Sequence, residues 1–503
     1  KKYQNIMNFL LMHQNHFKMF LPEVFLATSI LVMTLHASLL VTSKRLGYPI
    51  LTLSFGKLSI LVLFLTFLLV YNNPITFMLT YQNTFIFDVL TANVKQIILI
   101  STICCLFIFE DNLVRQQINN FEYFILILSA VLGLLLLVSS YDLISLYLSI
   151  EMQSLCLYVL AASKKDSSFS TEAGLKYFLL GSFSSALLLF GMSILYGCTG
   201  TTNFENYTLL FSGIDLDNLS TASSISTALI FIGAAFFFKI AAAPFHMWSP
   251  DVYEGSPTSS TIFFAVIPKI ALFAVFARMF QTVFAPFEDT LLMMTIVFSI
   301  CSVIVGSFAA LRQRKLKRLL AYSSVSHVGY LLLAFSANSV EGTQALFFYL
   351  IVYMITSLSF WSVVLSINTS TNTERSKTLI DFASVSTVNP LIGLTGMMAL
   401  FSLAGVPPLV GFYAKMAIFL SAIGSSLIFV SLVAILASVV SSVYYIRLIK
   451  IMYFEPKSDV SFVYPVSRSC SLMMATGTFL LIYLFVNPTL LVLLTSKMAL
   501  CLY

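Results

Sequence analysis

Charged side chains are scarce in this sequence. Asp, Glu, Lys and Arg together make up 10% of its 503 residues, whereas 59% are hydrophobic. A soluble domain carries about 25% charged residues, which keep its surface in water. The scarcity of charge therefore excludes an ordinary soluble protein and indicates that lipid surrounds most of the chain. The net charge of +6 comes from basic residues in short loops, which points to membrane topology and not to nucleic acid.

Motifs for nucleotides, metals and redox centres are also missing. The sequence has no G-x-G-x-x-G and no P-loop. Its seven cysteines, at positions 104, 105, 156, 198, 301, 470 and 501, resemble no zinc or iron–sulfur set, and an odd count argues against a disulfide framework. We therefore expect no metal or cofactor on this chain and interpret the cysteines as small apolar packing residues.

Long apolar runs account for most of the sequence. A membrane-spanning helix needs about 20 mostly apolar residues, and no linker here is long enough to separate domains. We predict an all-α polytopic membrane protein whose fourteen spans lie near 20–41, 49–71, 85–109, 121–139, 142–162, 173–197, 223–245, 256–279, 290–311, 319–337, 342–367, 390–422, 425–453 and 470–490. Residues 1–19 carry an apolar patch too short to span and no cleavage site of a targeting peptide, so we expect a membrane-surface lead-in there. Residues 20–503 then form one membrane domain.

The distribution of lysine and arginine predicts how the spans are oriented. Loops after even-numbered spans offer only Arg278, and basic residues collect instead in loops after odd-numbered spans: Lys44, Arg45, Arg115, Lys164, Lys165, Arg312, Arg314, Lys315, Lys317, Arg318, Arg375, Lys377, Arg447, Lys450, Lys457 and Arg468. By the positive-inside rule the odd loops face the negative side of the membrane. Both termini then face the positive side, although Lys1, Lys2 and Lys18 run against this pattern.

Five ionisable residues fall near the centres of predicted spans: Glu151, Lys239, Lys269, His327 and Lys415. A charge at the bilayer centre costs about 2.5–3.5 kcal/mol even on the lenient insertion scale. Such residues must pair, face a wet interior or become neutral. A structural ion pair is the plain alternative for any one of them, but five in a chain so poor in charge favour an ion pathway. A buried lysine suits this task because burial favours its neutral form and a nearby carboxylate favours its charged form.

Prolines accompany the three central lysines. Span seven reads K-I-A-A-A-P-F-H from Lys239, span twelve reads G-V-P-P-L-V-G-F-Y-A-K up to Lys415, and Pro268 directly precedes Lys269. Proline removes a backbone donor and breaks or kinks a helix. Irregular backbone inside a membrane is tolerated only where protein or a watery cavity satisfies it. We predict broken helices at the prolines of spans seven and twelve, and a disturbed helix at Pro268.

Four blocks of sequence carry a resemblance to a known family. They read P-F-H-M-W-S-P-D-V-Y-E-G-S-P-T at 244–258, S-T-E-A-G-L-K-Y at 170–177, R-L-L-A-Y-S-S-V-S-H-V-G-Y at 318–330 and G-V-P-P-L-V-G-F-Y-A-K at 405–415. With these blocks, and over nearly the whole chain from about Pro22, the sequence resembles the subunit 2 family of respiratory complex I, the proton-pumping NADH:ubiquinone oxidoreductase. The wording of the blocks is most similar to the mitochondrial version of plants, algae or protists.

The resemblance implies a fold and a set of site residues. The fold has fourteen helices with two inverted five-helix repeats, spans 4–8 and 9–13, and breaks in spans seven and twelve; spans one to three are extra and span fourteen is C-terminal. Glu151 would pair with Lys239, Lys269 would bridge the two halves, and Lys415 would be the terminal lysine. The implied proton pathway consists of Glu151, Lys239, Lys269, His327, Lys415, His246 and Lys176.

The resemblance also implies a function. It is that of a proton-translocating, antiporter-like membrane-arm subunit in the mitochondrial inner membrane, in contact with other membrane-arm subunits and lipids. NADH, FMN, iron–sulfur clusters and ubiquinone would be bound by other subunits. Two alternatives stay open. One is an Mrp-type cation/proton antiporter subunit, against which the D-V-Y-E-G run argues, and the other is a proton-inert scaffold of the same complex, in which the buried lysines are simply ion-paired.

Overall fold

The protein is mostly helical in the computed structural model, which describes residues 2–41, 50–73, 77–116, 120–212, 219–367, 378–383, 385–455 and 466–503. One antiparallel hairpin, Met78–Thr80 with Phe85–Phe87, lies between the second and third spans. Several basic residues of the predicted loops lie outside the described residues: Lys1, Lys44, Arg45, Arg375, Lys377 and Lys457.

The helices follow the fourteen predicted spans. In order they are Lys2–Val41, Ile50–Tyr71, Val89–Arg115, Glu122–Ser139, Leu143–Ala161, Ser168–Thr199, Leu219–Ile240, Thr258–Arg278, Glu288–Leu311, Leu316–Ser336, Val340–Ser366, Pro390–Ala404 with Val410–Gly424, Ile428–Phe454 and Arg468–Val486. Within the described ranges, thirteen helices are long and apolar enough to cross a membrane, and the two helices of span twelve are shorter. The prediction of an all-α polytopic membrane protein is confirmed.

Shorter helices lie between and after the spans. They are Phe204–Ser212, Trp248–Gly255, the π-helical turn Met279–Val283, the 3₁₀ turns Ala285–Phe287 and Leu379–Phe382, Val385–Val388 and Thr489–Leu500. Span one belongs to a helix that already begins at Lys2, so the described part of the predicted lead-in continues this helix. Its place at the membrane surface stays a prediction.

The interior of the molecule is built around spans eight, ten and eleven. Their most apolar stretches are almost wholly buried by other spans, whereas those of spans one and fourteen are mostly exposed. The exposed faces carry large apolar side chains such as Leu31, Leu35 and Phe479, as expected where lipid takes the place of water. Spans eight and ten also carry Lys269 and His327. These two residues therefore lie in the most deeply buried part of the protein.

Span seven is broken, as predicted. Its helix ends at Ile240, and helical structure resumes at Trp248. Ala241 closes the helix with a φ of 64°, a left-handed conformation that residues other than glycine rarely adopt. The backbone carbonyl of Phe238 accepts the Ala241 amide at 3.1 Å and the Trp248 indole N–H at 2.9 Å. The tryptophan of the broken segment thus supplies a donor that lipid could not supply.

Span twelve is broken in the same way. It ends at Ala404 and resumes at Val410, and Gly405 closes the first half with a φ of 82°. The Gly405 amide donates to the carbonyl of Ser402 at 3.1 Å, which matches the bond from Ala241 to Phe238 in span seven. Both breaks fall in the fourth helix of the repeats that the resemblance implies. The domain boundaries themselves stay a prediction.

Span eight departs from expectation. The helix Thr258–Arg278 runs without interruption through Pro268, so the predicted disturbance next to Lys269 is wrong. The side chains of this helix are buried along its whole length. Packing on all sides therefore stabilises a helix from which one backbone hydrogen bond is missing.

The close packing at the break in span twelve predicts that one added methyl group at position 411 lowers the stability of the protein. A Cβ at position 411 would overlap the Ser402 carbonyl oxygen, whereas a Cβ at position 424, at the other end of the same helix, would meet no atom within 4 Å. Gly411→Ala should therefore lower the stability of the purified protein by about 1–3 kcal/mol through overpacking. Gly424→Ala is the matched control and should not lower the stability. Thermal unfolding of both variants in detergent checks this, and equal midpoints would contradict the described packing.

Candidate functional site

Glu151 and Lys239 form the predicted ion pair. Glu151 lies in span five and Lys239 lies one residue before the end of span seven, and Lys239 Nζ is 3.8 Å from Glu151 Oε1. Lys239 Nζ also donates to the hydroxyl oxygen of Tyr158 at 3.3 Å. The lysine and glutamate side chains are 12% and 20% exposed, so solvent and salt screen their attraction less than at a surface.

Tyr158 was not singled out by sequence reasoning. It follows Glu151 by seven residues and so occupies the same face of span five. Its ring fits against span six because Gly181 has no side chain, and a Cβ there would overlap the tyrosine. The ring of Tyr177 meets it edge-on with centroids 4.7 Å apart. The only sequence signal for this residue was its spacing from Glu151.

A cavity of about 20 Å³ is lined by both Lys239 and Lys269. Gln153 and Ser154 of span five and Tyr253 of the broken segment contribute polar groups to its wall. A polar cavity of this volume is large enough for one water molecule. The two lysines therefore face a common polar space, across which a water could connect them.

Lys269 has an unusual environment for an ammonium group. It is 5% exposed, and its Nζ has no hydrogen-bond partner among the described residues. The ring of Tyr353 in span eleven lies 5.5 Å from Nζ, close enough for a cation–π contact. A charge with so little compensation is costly to keep inside a protein. Lys269 is thus the least stabilised of the three lysines in its charged form.

Lys415 is held by the break in its own span. Its Nζ donates to the carbonyl oxygen of Ala404, the last residue of the first half-helix, at 2.8 Å. Carbonyls at the C-terminal end of a helix carry partial negative charge and attract cations. The ring of Tyr330 in span ten lies 5.3 Å from Nζ. The break was expected to leave backbone carbonyls that need a hydrogen-bond donor. Lys415 itself supplies that donor to the carbonyl of Ala404.

His327 lies between the two tyrosines that face the lysines. Its ring centroid is 5.1 Å from that of Tyr353, which contacts Lys269, and 6.2 Å from that of Tyr330, which contacts Lys415. Both of its ring nitrogens are within hydrogen-bonding distance of tyrosine hydroxyls. The structure thus brings Lys269, His327 and Lys415 together in one continuous group.

Lys176 and His246 lie apart from this group. Lys176 of span six is 43% exposed and forms an ion pair at 3.1 Å with Asp251 of the broken segment, which Arg318 of span ten also contacts at 3.2 Å. The ring of His246 lies 6.1 Å from that of Tyr322. Their assignment to a proton pathway stays a prediction.

Sequence reasoning missed two further buried ion pairs among the described residues, and three of their four side chains, those of Glu23, Asp88 and Arg278, lie near the ends of predicted spans. Glu23 of span one and Lys95 of span three are both almost fully buried and bonded to each other. Arg278 at the end of span eight donates to both carboxylate oxygens of Asp88, at 2.9 and 2.7 Å. The signal for the first pair was present, since each residue interrupts an apolar run. These pairs tie span one to span three, and span eight to Asp88, the residue directly before the helix of span three.

The Glu23–Lys95 pair predicts a large loss of stability when one partner is removed. Lys95→Met should lower the free energy of unfolding by about 3–5 kcal/mol because it leaves a buried carboxylate alone. The double variant Glu23→Gln with Lys95→Met should recover most of that loss.

An exposed pair provides the control. Lys450 and Glu455 are 3.5 Å apart and well exposed, so Lys450→Met should change stability by less than about 1 kcal/mol. Thermal unfolding of the three purified variants measures this. Equal losses of stability in the Lys95→Met and Lys450→Met variants would show that the buried pair stabilises the protein no more than the exposed pair does.

Comparison with known proteins adds independent evidence. Residues 140–441 match a family model described as "NADH:quinone oxidoreductase/Mrp antiporter, TM". The chain is 41% identical to NADH-ubiquinone oxidoreductase chain 2 of Marchantia polymorpha, over 98% of this chain and 100% of that protein. It is 38% identical to the protein of the same name from Arabidopsis thaliana, over 97% of each.

Solved structures show the same fold. A chain of respiratory complex I from Thermus thermophilus with bound aureothin superposes with a TM-score of 0.77 at 29% identity, covering 94% of this chain and 98% of its own. A chain of the Mrp complex from Dietzia sp. reaches a TM-score of 0.79 at 18% identity, covering 98% of each, a likeness that concerns the fold alone. The matched sequence model and the long, closely similar relatives agree: the chain belongs to the NADH:quinone oxidoreductase/Mrp antiporter transmembrane family.

Proposed function

We propose that this chain is an antiporter-like membrane-arm subunit of a proton-translocating NADH:ubiquinone oxidoreductase, and that it relays protons along Glu151, Lys239, Lys269, His327 and Lys415. The observation that carries the proposal is the continuity of this line. Lys239 and Lys269 share a polar cavity, and Lys269 and Lys415 each face a tyrosine ring that packs beside His327. Titratable groups so arranged within a membrane are what a proton relay requires.

The different environments of the lysines support a relay over a static ion-pair network. Lys239 has a carboxylate at 3.8 Å and Lys415 has a backbone carbonyl at 2.8 Å, whereas no described residue gives Lys269 either kind of partner. A proton moves along such a line when the relative stability of the charged form shifts from one lysine to the next. A scaffold would gain nothing from burying the Lys269 ammonium, which has no hydrogen-bond partner among the described residues.

Sequence similarity favours the oxidoreductase over an independent antiporter. The relatives that match nearly the full chain at 38–41% identity are named as oxidoreductase subunits. The Mrp chain is similar at 18% identity. Under this proposal NADH, FMN, iron–sulfur clusters and ubiquinone are bound by other subunits. The redox reaction on those subunits drives the proton transfer in this chain.

The proposal also sets the surroundings of the chain. It lies in the mitochondrial inner membrane beside other membrane-arm subunits, including antiporter-like ones, with lipid on its apolar faces. Odd-numbered loops face the matrix and both termini face the intermembrane space. Arg278 is the one basic residue that the sequence analysis placed in an even-numbered loop, where it runs against this orientation. Its buried ion pair with Asp88 neutralises its charge, which supports the orientation.

Two substitutions at Lys239 test the relay. Lys239→Met removes the titratable group, and Lys239→Arg keeps a charge that is not released in a protein. In the assembled complex both should lose most proton pumping and quinone reductase activity, by about 100-fold if proton transfer is lost. Pumping in vesicles and NADH oxidation are measured together.

Lys497→Arg provides the control, because Lys497 is an exposed lysine of the last helix, outside the proposed line. It should pump normally. A structural ion pair would tolerate arginine, so normal pumping per electron in an assembled Lys239→Arg complex would support the scaffold and overturn the relay.

A further inference from the structure

His327 sits inside a cluster of five tyrosines. Tyr330 belongs to span ten, and the other members are Tyr349 and Tyr353 of span eleven and Tyr444 and Tyr445 of span thirteen. All five are at most 8% exposed. A buried tyrosine hydroxyl usually finds a hydrogen-bond partner, so a purely apolar core would favour phenylalanine, of which this chain has 47. Two of the five hydroxyls, those of Tyr349 and Tyr445, lie within hydrogen-bonding distance of His327, and these two therefore call for an explanation.

Two of these hydroxyls bind the imidazole from opposite edges. Tyr349 Oη lies 2.6 Å from Nδ1 of His327, and Tyr445 Oη lies 3.0 Å from Nε2. A neutral imidazole has one N–H and one bare nitrogen. It therefore accepts from one tyrosine and donates to the other. The three side chains form a hydrogen-bonded chain with a direction, and the two tautomers of His327 correspond to its two directions.

We propose that Tyr349 and Tyr445 are relay residues that carry the proton through His327 between Lys269 and Lys415. This inference rests on the proposed function, and it goes beyond it by assigning the tyrosine hydroxyls to the pathway. The rings that face Lys269 and Lys415 are those of Tyr353 and Tyr330. The hydroxyls that bind His327 are those of Tyr349 and Tyr445.

The transfer balances without an oxidant or a charged imidazole. In one tautomer the O–H of Tyr349 breaks as Nδ1–H forms, and Nε2–H breaks as a new O–H forms on Tyr445. Tyr349 regains a proton that comes from the charged lysine, and Tyr445 passes its former proton to the neutral lysine, in both cases through water. One proton has moved, one lysine has become neutral and the other charged. Rotation of the hydroxyls and reversal of the tautomer prepare the next transfer.

Removal of single hydroxyls tests this proposal. Tyr349→Phe and Tyr445→Phe keep the ring and delete only the oxygen. In the assembled complex each should reduce proton pumping and coupled NADH oxidation at least ~10-fold. Each should also increase the solvent isotope effect in D₂O, because proton transfer becomes the slow step. A hydroxyl that only positions its neighbours would alter stability and leave the isotope effect at its unmodified value.

The control is a tyrosine of the same kind elsewhere. Tyr123 of span four is 2% exposed and does not belong to the tyrosine cluster around His327, so Tyr123→Phe should pump normally with an unchanged isotope effect. The two test variants lie on different spans, so either one that assembles decides the question.

The results separate this inference from the proposed function. Loss of pumping in Lys239→Met together with normal pumping and isotope effect in an assembled tyrosine variant would overturn the role of the hydroxyls and leave the lysine relay in place. Normal pumping in Lys239→Arg would overturn both.

Discussion

A lysine ammonium in a lipid-surrounded protein has lost its water, and the surrounding groups must replace that solvation. The three central lysines obtain it in three ways. Lys239 has the Glu151 carboxylate and a tyrosine hydroxyl, Lys415 has the carbonyl at the end of a half-helix, and Lys269 has a tyrosine ring and a polar cavity. Because these three solutions differ in strength, the charged form is stabilised unequally along the line. A relay needs that inequality, since equal and deep stabilisation would trap the proton.

The broken helices follow from the same constraint. In an unbroken span almost all backbone carbonyls are bonded within the helix, whereas a helix end leaves its last carbonyls without helical partners. Ending the first half of span twelve at Ala404 exposes the carbonyl that Lys415 binds, and ending span seven at Ile240 places Lys239 at a helix terminus. The helix of span eight stays continuous, and in the part of the chain that the structure describes no carbonyl bonds to Lys269. The backbone thus solvates Lys415 directly, whereas side chains stabilise Lys239 and Lys269.

Much of this arrangement is readable from the sequence because its signals are local. Apolar runs predict the spans, and the prolines after Lys239 and before Lys415 predict both breaks. Pro268 was misread because its effect depends on how tightly span eight is enclosed, which is a property of the folded protein. The pairing of Lys95 with Glu23 was missed because two charges in different runs do not reveal which faces of their helices meet.

The tyrosines were missed for a related reason. The chain has 23 of them, and no local pattern distinguishes Tyr349 and Tyr445, which bind His327, from those that only pack. Their importance arises where spans ten, eleven and thirteen converge. Likewise, the indole of Trp248 satisfies the carbonyl of Phe238 only because the broken segment folds back on span seven. Tertiary contacts of this kind require the structure.

The most direct test of the lysine line is the Lys269→Met complex, measured for proton pumping in vesicles and for thermal stability in detergent. Removal of a buried ammonium that bonds to no described residue should leave stability unchanged or higher, since none of these residues loses a hydrogen-bond partner. If Lys269 carries protons, this stable complex should nevertheless fail to pump. Normal pumping per electron by the assembled variant would contradict the account.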